Sequence, residues 1–334
     1  MDPISRERLF GVSGAFDSPI TWWGTVGVGA LLIASPLLVL LLSKAGKLDA
    51  AHRRELLLRC VSWAVIAPAL LVPVLLGAAW WIGAMFVLSV LCLREFGRIT
   101  GVFREPMVMG AAMLGLVALY FAVFDNWYTM FVAVTPITAV VIMAAAVLSD
   151  RPTGYVQRVA LGVLGFTLFG TGLGHLAYFA NDAQFRPILF IIIAAVQGND
   201  VFAYLSGKTF GKRKLCPKTS PNKTVAGAAG AVVCTTALVV TLGHFVVADG
   251  MRVWWLHLLL AGVLLSVAGQ MGDLVLSSIK RDIGIKDTGT LLPGHGGLLD
   301  RFDSLLLASP VIFYFVAYFR GVGLDQPARV LTGG

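Results

Sequence analysis

The sequence predicts an all-α polytopic integral membrane protein with about ten transmembrane helices, and three observations carry that prediction. Of its 334 residues, 57% are hydrophobic and only 13% charged, whereas a soluble domain carries about 25% charged residues. The mean hydropathy is +0.84. The apolar residues fall into successive runs close to the roughly 20-residue length that crosses a bilayer. A chain this apolar cannot hide its hydrophobic side chains in one soluble core. An ordinary cytosolic globule, a disordered chain and a disulfide-stapled secreted domain are therefore excluded.

The candidate spans are 22–43, 60–76, 78–94, 107–124, 128–148, 156–178, 187–206, 224–247, 253–275 and 304–320. The N-terminal segment lacks the basic-then-apolar order of a cleavable signal, so the first run reads as a retained helix. The second and third runs are short and nearly continuous. Either a tight turn near Gly77 separates them or they form one long re-entrant element. Residues 44–59, KAGKLDAAHRRELLLR, read equally as an amphipathic helix on an anionic leaflet or as a solvated connector. No fixed-period repeat and no soluble domain is visible. The organisation expected is a helix bundle over 1–186 followed by a catalytic membrane region over 187–334.

Charge tests the count. With the loop after the first span on the inside, the inside segments and the flanking Arg94 and Arg158 hold 20 of the 26 Lys and Arg residues. That asymmetry is what the positive-inside rule predicts. Removing one middle span would move a large basic loop to the other side. The net charge of +8 thus reads as topology rather than as affinity for nucleic acid. The four cysteines Cys60, Cys92, Cys216 and Cys234 are scattered and suggest neither a disulfide framework nor a zinc site.

Polar residues crowd the stretch from about 197 to 304, and charge at membrane depth marks function by default. Asp200, Ala203, Tyr204 and Gly207 recur at helical spacing and share one face. They suggest a cavity wall, although small residues also favour plain helix packing. The segment from Lys208 to Thr224 carries six cations and no acid. It reads as a topogenic loop on anionic headgroups or as a polyphosphate site. In the second reading Ser220 and Thr224 supply hydroxyls, Lys223 a point charge, and the start of span eight free backbone N–H groups. The glycines of Gly170-Thr-Gly172-Leu-Gly174 lie in an apolar span and read as close helix contacts rather than a dinucleotide loop.

The third cluster runs from Gly272 to Ser304. If span nine continues as a helix, Asp273, Ser277, Lys280 and Arg281 share a face, and Gly284 is the stop. The turn Pro293-Gly294-His295-Gly296-Gly297 cannot be regular helix, and its glycines let backbone N–H groups converge on an anion. Asp300 and Asp303, three apart, can point at one place. Asp200, Asp273, Asp300 and Asp303 are four carboxylates near one boundary. Hard carboxylate oxygens suit Mg²⁺, which takes one or two of them and completes its shell with water and phosphate. A lone His in a glycine turn, such as His295, is more often a hydrogen-bonding prop than a catalyst.

The run from Ser277 to Asp303 resembles the signature of the phosphatidate cytidylyltransferases. It supplies Ser277, Ile279, Lys280-Arg281, Lys286-Asp287, Pro293-Gly-His295-Gly-Gly297 and Asp300-Arg301-Phe-Asp303. Upstream, Asp200-x-x-Ala-Tyr204-x-x-Gly207, Phe210-Gly-Lys212 and Ser220-Pro-x-Lys223-Thr224 are similar to that family too. The resemblance implies conversion of CTP and phosphatidate to CDP-diacylglycerol and pyrophosphate. It also implies Mg²⁺, with a second cation left open, and a homodimer in a bacterial inner membrane whose site faces the cytoplasm. Asp273 and Asp300 carry over as metal ligands with Asp303 beside them, and Lys280 as a phosphate contact. Lys280, Arg281, Arg301, His295 and Asp303 form the expected catalytic set. Asp200, Tyr204, Lys212, Ser220, Lys223, Thr224, Ser277, Lys286, Asp287, Gly294, Gly296 and Gly297 are the expected substrate contacts. A transferase for another lipid phosphate, a CTP-dependent lipid kinase and a transporter are the competing readings.

Overall fold

The computed structural model describes residues 3–247, 254–289, 296–321 and 329–333. A short helix α1 (Pro3–Phe10) precedes α2 (Pro19–Lys44), α3 (Ala50–Leu76), α4 (Ala78–Thr100), α5 (Pro106–Phe124) and α6 (Tyr128–Val147). The sixth span is one helical column: α7 (Tyr155–Gly165), a π-helical stretch Phe166–Gly172, α8 (Leu173–Tyr178) and a final 3₁₀ turn. Then come α9 (Phe185–Phe210), a hairpin of β1 (Lys214–Cys216) and β2 (Ser220–Thr224), α10 (Val225–Val247), α11 (Trp254–Asp282) and α12 (Leu299–Arg320). Ten helical elements among the described residues are long and apolar enough to cross a membrane. This is an integral membrane protein of the all-α class.

Spans two and three are separate helices. Between them Gly77 has φ +129°, and a Cβ there would lie 2.6 Å from the backbone oxygen of Leu9. Only glycine satisfies both conditions, so the turn is tight and α1 packs onto it. The polar stretch expected as a separate surface helix or connector is neither. Asp49 accepts the amide of His52 at 2.7 Å and caps α3, and Glu55 pairs with Arg59 at 2.6 Å one turn on. From Ala50 nothing breaks the helix, so residues 50–59 simply prolong the span. The segment 208–224 is not a plain loop, because it folds into the hairpin, in which Lys214 faces Thr224 and Cys216 faces Ser220.

In lipid, helices gain little from hydrophobicity when they pair, so association rests on close packing and polar contacts. The glycines serve that end. A Cβ on Gly227 would stand 2.6 Å from the Ala203 oxygen, and one on Gly262 would stand 2.6 Å from Thr236 Cα. These fix the crossings α9–α10 and α10–α11. Gly172 touches the Leu306 oxygen of α12, and Gly174 touches Leu119, so this glycine run is a packing surface as expected. Between α9, α10 and α11 the buried Asn199 Oδ1 accepts Thr235 Oγ1 at 3.1 Å and Ser266 Oγ at 2.5 Å.

Contacts sort the loops to two ends of the bundle. At one end Arg158 reaches Glu105 (3.7 Å), Arg281 reaches the Thr219 oxygen (3.4 Å) and Thr288 reaches Glu95 (2.8 Å). At the other end Arg8 donates to Asn181 Oδ1 at 2.9 Å, Arg320 pairs with Asp182 at 3.5 Å and Leu331 donates to Asp125 Oδ1 at 2.5 Å. The first set joins segments that charge alone assigned to the inside.

Candidate active site

The site begins on α11. Its length of 29 residues carries it beyond the apolar run, and Gly284 at φ +77° ends it, with Ile285 donating back to the Lys280 oxygen at 2.9 Å. Asp273 and Ser277 lie one turn apart, and Ser277 donates to Asp273 Oδ1 at 3.1 Å. Asp273 Oδ2 also meets Lys223 Nζ at 2.5 Å, an ion pair between α11 and the hairpin. One turn further on, Lys280 Nζ lies 2.6 Å from Asp300 Oδ1, with side chains only 10% and 7% exposed. The other oxygen of Asp300 accepts the Thr288 amide (3.0 Å) and the Gly297 amide (3.1 Å), and lies 3.0 Å from the Thr288 hydroxyl, whose one proton it shares with Glu95. A charge this buried is tolerable only when every lone pair is used.

Asp303 lies one turn along α12 and faces elsewhere. It is 8% exposed, and Gly272 packs against its backbone oxygen. Its carboxylate accepts the Ser304 amide at 2.8 Å. The Ser304 hydroxyl lies 3.4 Å from Asp303 Oδ1 and 3.5 Å from Asp200 Oδ2, bridging two acids. Asp200, Asp273 and Asp303 lie within electrostatic reach of one another. Among the described residues neither Asp200 nor Asp303 has an ion-pair partner. Asp200 and Asp273 open onto a crevice of about 520 Å³, which Ala203, Tyr204, Gly207, Lys208, Lys214 and Lys223 also line. The face predicted from the spacing of Asp200, Ala203, Tyr204 and Gly207 is therefore a cavity wall.

Three carboxyl groups crowd a boundary of low dielectric, with Lys223 paired to Asp273 and with Lys280 and Arg301 within electrostatic reach. A divalent cation fits such a cluster of hard carboxyl oxygens. No ready-made cage of three acidic, histidine or cysteine ligands exists among the described residues, so a Mg²⁺ ion here would complete its shell with water and phosphate oxygens. Lysines on the other rim suit phosphates.

Residues 57–319 match the sequence profile of the cytidylyltransferase family. The chain belongs to that family. Its relatives include the uncharacterized protein YnbB of Escherichia coli (strain K12), 34% identical over 252 residues, 73% of this chain and 82% of the relative. The phosphatidate cytidylyltransferase of Bacillus subtilis (strain 168) is 34% identical over 223 residues, 65% of this chain and 82% of the relative. That of Staphylococcus epidermidis (strain ATCC 12228 / FDA PCI 1200) is 42% identical over 142 residues, 42% and 53% of the two chains.

The remaining family-motif residues spread around this centre. Thr224 is buried and its hydroxyl accepts the Gly227 amide at 3.0 Å, so it caps α10 and occupies a donor expected to be free for phosphate. Ser220 is half-buried at the start of β2, and Lys212, Lys286 and Asp287 are exposed. Arg281 does not join Lys280. It is exposed and donates to the backbone oxygens of Thr219 and Ile285, tying α11 to the hairpin. Asp300 and Asp303 do not converge, because each serves a different set of partners. Arg301 is half-buried, and its buried Nε has no hydrogen-bond partner among the described residues. Gly296 has φ +79°, and the anion on which the Gly297 amide converges is the carboxylate of Asp300. His295 and Gly294 lie outside the described residues.

The family site also holds a residue that motif reading missed. Glu95, near the end of α4, accepts the Thr288 hydroxyl at 2.8 Å and the amides of Leu298 and Leu299 at 3.0 and 3.2 Å. The span bounds 78–94 leave it just outside the third helix. An acid one turn inside a membrane helix was the available signal.

Proposed function

We propose that this protein is a CTP-dependent cytidylyltransferase that converts phosphatidate and CTP to CDP-diacylglycerol and pyrophosphate at the cytoplasmic face of a bacterial inner membrane. Family membership and the names of the relatives support the chemistry. The observation that carries the reading is the cluster Asp200–Asp273–Asp303, bordered by Lys223 and the basic crevice. A phosphate oxygen of phosphatidate bonds to the α-phosphorus of CTP, and the bond from that phosphorus to the bridging oxygen breaks as pyrophosphate leaves. The nucleophile is already anionic, so no strong general base is required. The barrier lies in bringing polyanions together in line, which charge neutralisation and positioning lower.

Asp273, with Asp303 and Asp200 beside it, would hold Mg²⁺, which when bound supplies charge neutralisation to the triphosphate. Asp300, expected as a ligand, serves Lys280, Thr288 and Gly297, and Asp273 pairs with Lys223, so each would reach a cation only by loosening its lysine, the more deeply buried one being that of Asp300. An ammonium has three donors, and Asp300 uses one of those of Lys280, leaving two for a nucleotide phosphate. Lys208, Lys214 and Lys223 line the route for the second polyanion. The lipid tails stay in the bilayer, which accounts for building this chemistry at the end of a helix bundle. A homodimer is part of the reading, carried by the family resemblance.

The test is purified protein with CTP labelled at the α-phosphate, phosphatidate vesicles and Mg²⁺. Label is expected in CDP-diacylglycerol, with stoichiometric pyrophosphate. Release of CDP would identify a lipid kinase instead, and turnover only with another lipid phosphate would replace the acceptor.

A further inference from the structure

We propose that Glu95 is a positioning residue of this site, a side chain of α4 that holds Asp300 and the start of α12 in their working orientation. The inference rests on the cytidylyltransferase reading for its activity measurements, but not for its geometry. An α-helix begins with amides that have no intrahelical acceptor. α12 starts at Leu299 with Leu298 as its N-cap residue, and no side chain of its own caps it. A leucine side chain cannot accept a hydrogen bond. The Glu95 carboxylate does so from another helix, with Oε2 3.0 Å from the Leu298 amide and 3.2 Å from the Leu299 amide. An anion at a helix N-terminus is also favoured by the helix dipole.

The other oxygen of Glu95 accepts the Thr288 hydroxyl at 2.8 Å. Thr288 is buried, and its hydroxyl and amide both lie 3.0 Å from Asp300 Oδ2. Thr288 therefore stands between two carboxylates, and Asp300 is oriented by a residue that Glu95 keeps in place. The fit is close, since a Cβ on Gly289 would fall 2.7 Å from Glu95 Oε1. One carboxylate thus ties together the residue before and the residues after the segment that carries the family's glycine-rich motif. It also occupies the N-terminus of α12, so substrate phosphate must be met by Lys and Arg side chains and not by that helix end.

The test compares Glu95→Ala, Glu95→Gln and Thr288→Val in the purified full-length protein. Glutamine keeps an acceptor for Leu298 and Leu299 and offers Thr288 an N–H in place of an oxygen. Glu95→Ala should lower kcat per folded molecule by about 100-fold, the cost of a small misplacement near the reacting groups. KM for CTP should move by less than about threefold, because no substrate contact is lost. Hydrogen exchange of the amides at the start of α12 should accelerate in Glu95→Ala. Glu95→Gln should stay within about tenfold of the parent rate, with near-parental exchange. Thr288→Val should lower kcat and add little on top of Glu95→Ala, since both act through one linkage. Unchanged kcat in Glu95→Ala would overturn the proposal. So would equal impairment by Ala and Gln, or, if the Ala variant fails to fold, unchanged kcat in Thr288→Val. A parent protein that makes no CDP-diacylglycerol would remove the activity reading, while the exchange data would still decide whether Glu95 clamps the helix.

Discussion

Lys280→Met isolates the most deeply buried ion pair of the site. Lys280 is 8% exposed and its Nζ lies 2.6 Å from Asp300 Oδ1. At that distance, with an effective dielectric constant near 20, the Coulomb attraction is about 6 kcal/mol. Desolvation of both ions offsets most of it, so the pair itself adds little net stability. Removing one partner is different, because the desolvated charge that remains costs about 3–5 kcal/mol. Asp300 keeps the amides of Thr288 and Gly297 as donors and a share of the Thr288 hydroxyl, which puts the expectation at the low end, about 3 kcal/mol. Thermal and denaturant unfolding in detergent should show Lys280→Met clearly destabilised. Asp300→Asn should be destabilised as well, because Lys280 is then buried alone. The double variant should recover much of the loss, since neither charge is left behind. Stability of Lys280→Met within about 0.5 kcal/mol of the parent, the range of ordinary surface changes, would refute a buried, coupled pair. Strict additivity in the double variant would do the same.

Three other outcomes follow from the geometry. Asp303→Asn should abolish pyrophosphate release, and Mg²⁺ should raise the melting temperature of the parent more than that of the variant. Gly227→Ala, whose Cβ would meet the Ala203 oxygen at 2.6 Å, should cost about 1–3 kcal/mol and loosen α9 from α10, read as a lower melting temperature. Asp125 accepts the Leu331 and Thr332 amides and the Thr332 hydroxyl. Asp125→Ala should therefore release residues 329–333 from the bundle and leave cytidylyl transfer intact, read as faster hydrogen exchange of the Leu331 and Thr332 amides.

The spans were legible because each is a local property: twenty apolar residues demand a helix in lipid whatever their neighbours do. Which loops share an end of the bundle was legible from Lys and Arg for a similar reason. The cavity face Asp200–Ala203–Tyr204–Gly207 followed from helical spacing within a single element. The continuity of residues 50–59 with α3 was missed because polar composition outweighed the absence of any helix breaker. The hairpin within 208–224 was missed because a short two-stranded pairing leaves little periodic trace.

Helix count, the grouping of loops at each end and the cytidylyltransferase motif were thus written in the chain itself, since composition and spacing act over short stretches. Which acids meet, and which are spent on neighbours, was decided only by the fold. Asp300 and Asp303 sit three residues apart, yet one turns to Lys280 and the other to Asp200 and Asp273. Glu95 reaches Leu298 across 203 positions. Such partnerships depend on how helices cross, and the crossings are set by glycine contacts between distant segments that no local pattern announces.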